Sequence, residues 1–437
     1  MTLYKIKKRI TGNIISEKGA VGVFLTIAFT VMMLLAACLF AAGAQVAGKS
    51  CTDAALRGAG RSILSEYDKK LMSDYGLLAF HNDEDGIAKD LAFYANAGMK
   101  DGGVTYVLFR PGRSPARFSG RHINPRYINV NLKEFSLLDL DRFEEQVREA
   151  ALGEFVKGRL KKADPGNPGT ASEHKDRVLR NKGIIGSLPS NGVGSGGLSL
   201  KFLKDIANLP TTSELADRSV TKVLVDEYIL DVFGNAYDGK YDEERFYQSE
   251  VEYIIAGDFD EARNKRMTQR RIFWMREALN NLAIISDPEK MKKIEELAEL
   301  GAVAGELGVA AVAVLITEAW VAAESKNDIK LLKAGEKVAL YKTPANWALN
   351  DIEAIWNGTF SGETVKPSMP NGLEYSGYLR IMLFLMDRTV KLLRMMDLIQ
   401  INMKGTYDEK FLIREHYTGY RFKLKVYGDE FEYTETY

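Results

Sequence analysis

A run of 30 consecutive uncharged residues near the N-terminus, Gly19 to Gly48, constrains the fold more than any other feature of the sequence. As a helix the run would be about 45 Å long, against about 30 Å for the hydrocarbon core of a bilayer. Five cationic side chains precede the run and three follow it closely: Lys5, Lys7, Lys8, Arg9 and Lys18, then Lys49, Arg57 and Arg61. Because basic residues concentrate on the cytoplasmic side, we expect one transmembrane helix in the cell membrane, a cytoplasmic N-terminus and a large extracytoplasmic domain.

Two kinds of N-terminal processing compete with a permanent anchor. A cleaved secretory signal has an apolar region of about 7 to 15 residues, so the length of this run favours an anchor, although Ala42-Gly43-Ala44 offers a small-residue cleavage site. Leu35-Ala36-Ala37-Cys38 matches a lipobox, in which the cysteine is acylated, but the apolar run continues beyond Cys38. The sequence favours retention of the helix and leaves cleavage and lipidation open.

Small residues in the run predict contacts with other transmembrane helices, because they let two helix backbones approach closely. They are Gly22, Ala36, Ala37, Ala41 and Gly43.

Charge and cysteine content exclude two further classes of protein. Lysine plus arginine equals aspartate plus glutamate at 59 each, so no net charge favours nucleic acid as a partner. The two cysteines, Cys38 and Cys51, would lie about 20 Å apart on one helix, which is too far for a disulfide between them. We therefore do not expect a disulfide-stapled or nucleic-acid-binding protein.

Composition and periodicity divide the chain into five parts. We expect a basic cytoplasmic leader at 1–18, the transmembrane helix at 19–48 and a stalk helix with a small α/β region at 49–162. A segment rich in glycine, proline, serine and asparagine predicts a flexible linker or loop at 163–197. A helix-rich domain follows at 198–437. The predicted fold class is α+β.

Apolar spacing predicts the individual elements. Helices are expected at Asp139–Lys162, Ser213–Phe233, Asp260–Leu282, Asp287–Glu306, Val309–Leu332 and Tyr375–Met403, and short strands at Leu77–Phe80, Val104–Phe109 and Tyr127–Leu132. Alternating Tyr420, Phe422, Leu424 and Val426 predict a C-terminal β-hairpin. The apolar stretch Leu307–Thr317 is too short to cross a membrane, so we expect no second span.

No motif in the sequence predicts a catalytic, cofactor or metal site. Gly192 to Gly197 satisfies G-x-G-x-x-G, but it lies in the glycine-rich segment without the preceding strand that a dinucleotide site needs. The four histidines are scattered and none has a partner at metal-ligand spacing. We therefore expect a protein that is not an enzyme and holds no cofactor.

Lys18-Gly19 opening the long apolar run resembles the leader of pilin-like proteins, in particular TadE- and TadG-like components of tight-adherence (Tad, or Flp) pili. In prepilins of that type the fifth residue after the cleaved Gly19 would be glutamate, and here it is Phe24. The resemblance implies membrane anchoring, and the departure at Phe24 predicts that the leader is not cleaved efficiently.

Further segments resemble a family of large membrane-anchored proteins of unknown function, found mainly in Gram-positive bacteria beside tight-adherence loci. The matching segments are Leu56–Leu64, Leu71–Phe80, Glu250–Gly257 with Asn264 and Arg276, Glu318–Trp320 with Glu324, Val338–Lys342 with Trp347, Tyr375–Arg380 and Arg394–Gln400. The resemblance implies a structural or assembly component, either a minor pseudopilin-like subunit or a platform protein. Its partners would be other pilus or pseudopilin subunits, in a homo- or hetero-oligomer.

Within those segments Glu250, Glu252 and Arg276 are the charged positions that we expect to form buried structural ion pairs. Two rival functions stay open at this point. One is an envelope-anchored hydrolase, which requires carboxylates or a histidine facing one cleft, and the other is a lipid-anchored or secreted binding protein.

Overall fold

The computed structural model describes residues 2–101, 105–106, 116–117, 122–157, 186–191, 216–237, 245–303, 307–367, 372–426 and 428–437. These residues form two compact units. Unit 1 comprises Met1–Tyr67, Asn82–Glu134 and Gly419–Tyr437, and unit 2 comprises Asp68–His81 and Phe135–Thr418.

Unit 1 contains two long helices and two antiparallel sheets. Its elements are α1 (Thr2–Leu64), α3 (Glu84–Asp101), β2 (Thr105–Tyr106), β3 (Ala116–Arg117), β4 (Ile128–Asn131), β6 (Gly419–Val426) and β7 (Asp429–Thr436). Strands β2 and β3 pair with each other, and the three-stranded sheet has the order β4-β6-β7.

Unit 2 contains the remaining helices, which account for most of its described residues. They are α2 (Lys69–Tyr75), α4 (Leu140–Lys157), α5 (Ala216–Val232), α6 (Glu250–Ala256), α7 (Glu261–Ile285), α8 (Pro288–Val303), α9 (Val309–Lys333), α10 (Ile352–Trp356), α11 (Tyr375–Leu385) and α12 (Arg388–Thr406). Two short strands, β1 (Phe80–His81) and β5 (His416–Tyr417), pair antiparallel.

Helix α1 has an exposed apolar half and a packed half. Every side chain from Val21 to Ala42 is exposed, and among the described residues Val21–Leu64 is the one helical stretch long and apolar enough to cross a membrane. Further along, Leu56, Ala59 and Ile63 recur at helical spacing and are buried where α1 packs against α3 and β7. One continuous helix therefore joins the apolar segment to the core of unit 1.

The C-terminal hairpin closes on α1 through tyrosines. Strand β6 alternates buried Tyr420 and Phe422 with more exposed basic residues, because successive side chains of a strand point to opposite faces. The Tyr420 hydroxyl donates a hydrogen bond to the Gly60 carbonyl (3.0 Å) and the Tyr437 hydroxyl donates to the Leu64 carbonyl (2.6 Å). These bonds fix the packed half of α1 on the sheet.

The described residues of unit 2 form two apolar cores. The larger core includes side chains from α2, α4, α5, α6, α7, α9, α11 and α12. The smaller core joins α7, α8, α9 and α10 around Ile284, Val312, Ile316 and Trp320. Helices α7 and α9 contribute to both cores, and they carry the polar cluster described below.

The α+β class, the N-terminal apolar helix, the helix-rich region and the C-terminal hairpin are confirmed. One predicted element is wrong in detail, since Tyr375–Met403 is two helices rather than one. Helix α11 ends at Leu385 and Asp387 begins α12, with its carboxylate accepting a hydrogen bond from the Val390 backbone (3.1 Å). The domain boundaries expected from the sequence stay predictions.

Candidate functional site

Unit 2 buries a cluster of charged and polar side chains between α7 and α9. Positions 276 and 280 are one turn apart on α7, and positions 324 and 328 are one turn apart on α9, so each pair lies on one face of its helix. The ionic cluster consists of Arg276, Asn280, Glu324, Ser325, Asp328 and Lys342. All are buried, which makes this the densest group of buried charges described in the chain.

All three guanidinium nitrogens of Arg276 donate hydrogen bonds. The residue is fully buried, with none of its surface exposed. Its Nε donates to Asp328 Oδ2 (2.9 Å), and its Nη2 donates to Asn280 Oδ1 (2.7 Å). Its Nη1 donates to the backbone carbonyls of Ala339 (2.9 Å) and Leu340 (2.7 Å). The guanidinium therefore ties α7 to α9 and to the segment after α9.

Lys342 lies between the two carboxylates of α9. Its Nζ donates to Asp328 Oδ1 (2.6 Å) and contacts Glu324 Oε1. Glu324 also accepts hydrogen bonds from the backbone nitrogens of Ala348 (2.9 Å) and Leu349 (2.8 Å). Two cations and two anions therefore balance each other without access to solvent.

The surroundings of Arg276 favour its charged form. Burial alone would lower the pKa of Arg276, but the attraction and hydrogen bond of Asp328 raise that pKa above its usual value. Burial also raises the pKa of Tyr378, whose ring lies beside the Arg276 guanidinium, to about 12. Arg276 therefore stays protonated across the physiological range.

Two tryptophans form an apolar wall beside the cluster. The indole nitrogens of Trp320 and Trp347 both donate to the Leu349 carbonyl, at 2.6 and 2.9 Å. Their rings meet edge to face with centroids 5.7 Å apart. The wall keeps water from the carboxylates and strengthens the interactions between the charges.

The geometry of the ionic cluster suits a structural role. Its charged atoms are buried and hydrogen-bonded to other protein atoms among the described residues. Buried ion pairs of this kind fix the arrangement of the elements that carry them, because breaking one leaves an uncompensated charge in the core.

Glu250 and Glu252 lie elsewhere, on the short helix α6. Glu250 Oε1 accepts a hydrogen bond from Asn402 Nδ2 (2.6 Å), and Glu250 Oε2 lies 3.6 Å from Arg245 Nη1. Glu250 Oε2 also accepts from the Gly234 backbone (3.3 Å). The structure thus pairs Glu250 with Arg245 and Arg276 with Asp328.

Glu252 is the carboxylate with the most perturbed environment. Its Oε1 accepts hydrogen bonds from the Ala236 backbone and the Tyr375 hydroxyl, both at 3.0 Å, whereas its buried Oε2 has no hydrogen-bond partner among the described residues. Burial raises the pKa of Glu252 to about 7. Glu252 is therefore a proton-binding group near neutral pH inside the core.

The other end of α6 is held by arginines. Arg394 Nη1 donates to the carbonyls of Ile254 (2.8 Å) and Ile255 (2.9 Å), and Arg271 Nη1 donates to Ile255 (2.7 Å). The helix ends at Gly257, whose φ of +75° suits glycine. Acidic residues at the start of α6 and cations at its end match the helix dipole.

The segment 186–191 falls within the predicted linker at 163–197, and its neighbours 163–185 and 192–197 lie outside the described residues. Leu188 is part of the larger core, and the Ser190 backbone donates to Asp397 Oδ1 (3.0 Å). The G-x-G-x-x-G stretch thus lies outside the described residues too.

The sites predicted in the N-terminal run all lie on α1. Phe24 is exposed, as are the small residues Gly22, Ala36, Ala37, Ala41 and Gly43, and Gly19 lies within the same helix. They belong to unit 1, whereas Glu250, Glu252 and Arg276 belong to unit 2.

Asp328 and Lys342 were missed as ion-pair partners by the sequence analysis. The available signal was the pattern on α9, where Glu324 and Asp328 interrupt an otherwise apolar face that includes Val321 and Leu331. Two carboxylates four residues apart on a buried helix face require a cation nearby. The pattern gives no information on which cation that is.

The fold and these clusters define a class of protein: a helix-rich α+β chain with a polar core and one N-terminal helix able to cross a membrane. The chain belongs to the family of unknown function DUF5702, whose sequence profile matches residues 175–428. That description names no pilus, TadE or TadG. Neither a curated protein nor a solved structure matches the chain.

Proposed function

We propose that this protein is a non-enzymatic structural or assembly component anchored in the cell membrane by helix α1. Its N-terminus would be cytoplasmic, and the parts of both units that follow residue 48 would be extracytoplasmic. The observation that carries the proposal is the continuity of α1 from its exposed apolar half into its packed half. Because the helix has no break, force on the membrane segment would be transmitted directly to the folded core of unit 1.

The polar interior of unit 2 supports a structural role. The charged groups of the ionic cluster are enclosed and paired, as are Lys391 of α12 and Asp226 of α5, which form another buried ion pair. These contacts join helices that are far apart in sequence. A scaffold needs this kind of fixed internal geometry, whereas a hydrolase needs titratable groups that a substrate can reach.

The finer proposal, a tight-adherence pilus or related secretion system, rests on sequence resemblance alone. In that setting the protein would be a minor pseudopilin-like or platform subunit. Small residues of α1, such as Ala37 and Ala41 one turn apart, would pack against the apolar helices of neighbouring subunits.

A deletion strain tests the assembly role. We expect loss of surface fibres, measured as pilin subunits in the fraction sheared from cells, and recovery when the full chain is restored. A chain in which Ala37 and Ala41 are both replaced by leucine should reach the membrane but restore fewer fibres. The matched control is Leu34→Ala, which makes another exposed side chain of α1 smaller instead of larger. This variant should restore the fibres. Normal fibres in the deletion strain would overturn the pilus proposal.

Orientation is tested separately by adding protease to intact protoplasts. We expect degradation of both units beyond residue 48, because the basic leader keeps the N-terminus inside. Full protection of both units would contradict an extracytoplasmic role.

A further inference from the structure

An open groove runs along the surface of unit 2 between α7 and α9. We call it the α7–α9 groove; it encloses about 440 Å³. Three of its lining side chains, Trp274, Leu282 and Ile285, are large, apolar and 54%, 56% and 62% exposed. They share one face of α7 over about 16 Å. An exposed apolar stripe of this size is typical of a protein-binding surface.

Two carboxylates also line the groove. We call Glu277 of α7 and Glu318 of α9 the acidic pair. Asn281 Nδ2 donates to Glu318 Oε1 (3.2 Å), and within the described part of the chain neither carboxylate forms a salt bridge. Burial, and then repulsion from Glu318, raise the pKa of Glu277, while Lys326 acts against this more weakly. A cation placed between the two carboxylates would relieve the repulsion.

The chemistry of the groove points to one kind of occupant. Partner helices dock into apolar grooves through side chains spaced three, four and seven residues apart, which suits a stripe of three turns. The acidic pair adds a preference for positive charge beside the apolar contacts. An anionic lipid surface is disfavoured by the same carboxylates.

We propose that the α7–α9 groove binds an amphipathic helix of a partner protein, with its apolar face in the groove and a lysine or arginine beside the acidic pair. This inference deepens the proposed function and rests on it, because an assembly component needs surfaces for its partners. The proposed function and the proposed groove partner can fail independently, because fibre assembly tests the function and peptide binding tests the groove.

The test uses the full chain in phosphatidylcholine nanodiscs and two synthetic helical peptides of about 16 residues, each about 24 Å long. Both peptides carry a leucine stripe at helical spacing; one has lysines beside the stripe and the other has glutamates. Binding is measured by surface plasmon resonance, with empty nanodiscs subtracted. We expect the lysine peptide to bind at least about tenfold more tightly than the glutamate peptide, and added salt to reduce the difference.

Two groove variants and two matched controls assign the binding to this surface. Leu282→Ser with Ile285→Ser should abolish binding, and Glu277→Gln with Glu318→Gln should remove the preference for lysine. The controls make the same kinds of change at exposed positions of α8 and should bind the peptides like the unmodified chain. They are Leu300→Ser with Val303→Ser, and Glu295→Gln with Glu299→Gln.

Three peptide-binding results would overturn the proposal. They are the absence of binding by either peptide, equal binding of both peptides, and binding of the lysine peptide that the groove variants leave unchanged. Self-association of the chain that Leu282→Ser with Ile285→Ser removes would assign the groove to a second copy instead, and would also overturn it.

Discussion

Arg276 links several elements of the core of unit 2. Its guanidinium donates to Asp328, Asn280 and two backbone carbonyls within a region closed to solvent. Arg276→Gln should lower the free energy of unfolding by about 3–5 kcal/mol, because Asp328 would lose its cation partner in the core. Denaturant unfolding of the detergent-solubilised full chain measures this loss.

A surface pair provides the control for Arg276. Lys292 and Glu296 are exposed and 3.7 Å apart on α8, so Lys292→Gln should change the unfolding free energy by less than about 1 kcal/mol. A loss of that small size for Arg276→Gln would show that the ionic cluster does not hold α7 and α9 together.

The raised pKa of Glu252 leads us to expect an unusual dependence of the free energy of unfolding on pH. Its pKa is about 7 in the folded protein, against an ordinary value of 4.5 in the unfolded chain, so the folded state binds a proton more tightly. Its contribution to stability is full below about pH 4.5 and is lost as the pH rises through 7. Glu252→Gln removes the charge and keeps the shape, so at pH 8 it should be more stable than the unmodified chain by about 2–3 kcal/mol.

The measurement for Glu252 is a series of thermal unfolding curves between pH 5 and pH 8. The variant and the unmodified chain should converge at the acidic end and separate as the pH rises. Glu295→Gln, at an exposed position, should show no such separation. A constant difference across the series would mean that Glu252 does not titrate in this range.

At this scale the sequence gives no information on the partners of buried charges. Glu250, Glu252 and Arg276 are buried. Arg276 and Asp328 are 52 positions apart, and their contact depends on how α7 packs on α9. Helical periodicity places a residue on a face, whereas only tertiary packing decides what lies opposite.

At the scale of elements, the C-terminal end of α6 gives the clearest prediction. Gly257 has a φ of +75°, and a Cβ atom there would lie 2.3 Å from the Arg394 guanidinium carbon. Gly257→Ala therefore combines backbone strain of about 1–2 kcal/mol with a clash that displaces Arg394 from the carbonyls of α6. Thermal unfolding should show a substantial loss of stability.

Gly335 separates the two effects, since its φ is +79° but a Cβ atom there would meet nothing within 4 Å. Gly335→Ala should cost only the backbone strain, roughly half the loss caused by Gly257→Ala. Equal losses would show that Arg394 does not depend on the space beside Gly257.

Most long helices could be predicted because their apolar spacing is local information. The helix expected at Val309–Leu332 is observed at Val309–Lys333, and the hairpin follows from the alternation in β6. The break between α11 and α12 was missed because helical spacing is present on both sides of the polar residues Asp387, Arg388 and Thr389, and the Asp387 cap that begins a new helix there leaves that spacing unchanged. The strand expected at Leu77–Phe80 is observed at Phe80–His81, where β5 pairs with it.

At the scale of the whole molecule, the N-terminal leader makes a prediction about processing. Phe24 stands where prepilins of the resembling type carry a glutamate, and a phenyl ring has no charge with which to form an ion pair with a neighbouring subunit's amino terminus. Intact-mass analysis of protein from native membranes should therefore give a chain that starts at Met1. A chain starting at Ala20 would indicate pilin-type processing, and one starting at an acylated Cys38 would indicate a lipoprotein.

Alkaline carbonate washing of native membranes tests most directly whether α1 anchors the protein in the membrane. The full chain should stay in the membrane pellet. Val31→Asp with Leu34→Lys places two charges in the apolar half of α1, each costing about 2.5–3.5 kcal/mol, and should release protein into the supernatant. Phe93→Asp changes an exposed residue of α3 and should leave the chain in the pellet. Release of the unmodified chain by the carbonate wash would contradict the account.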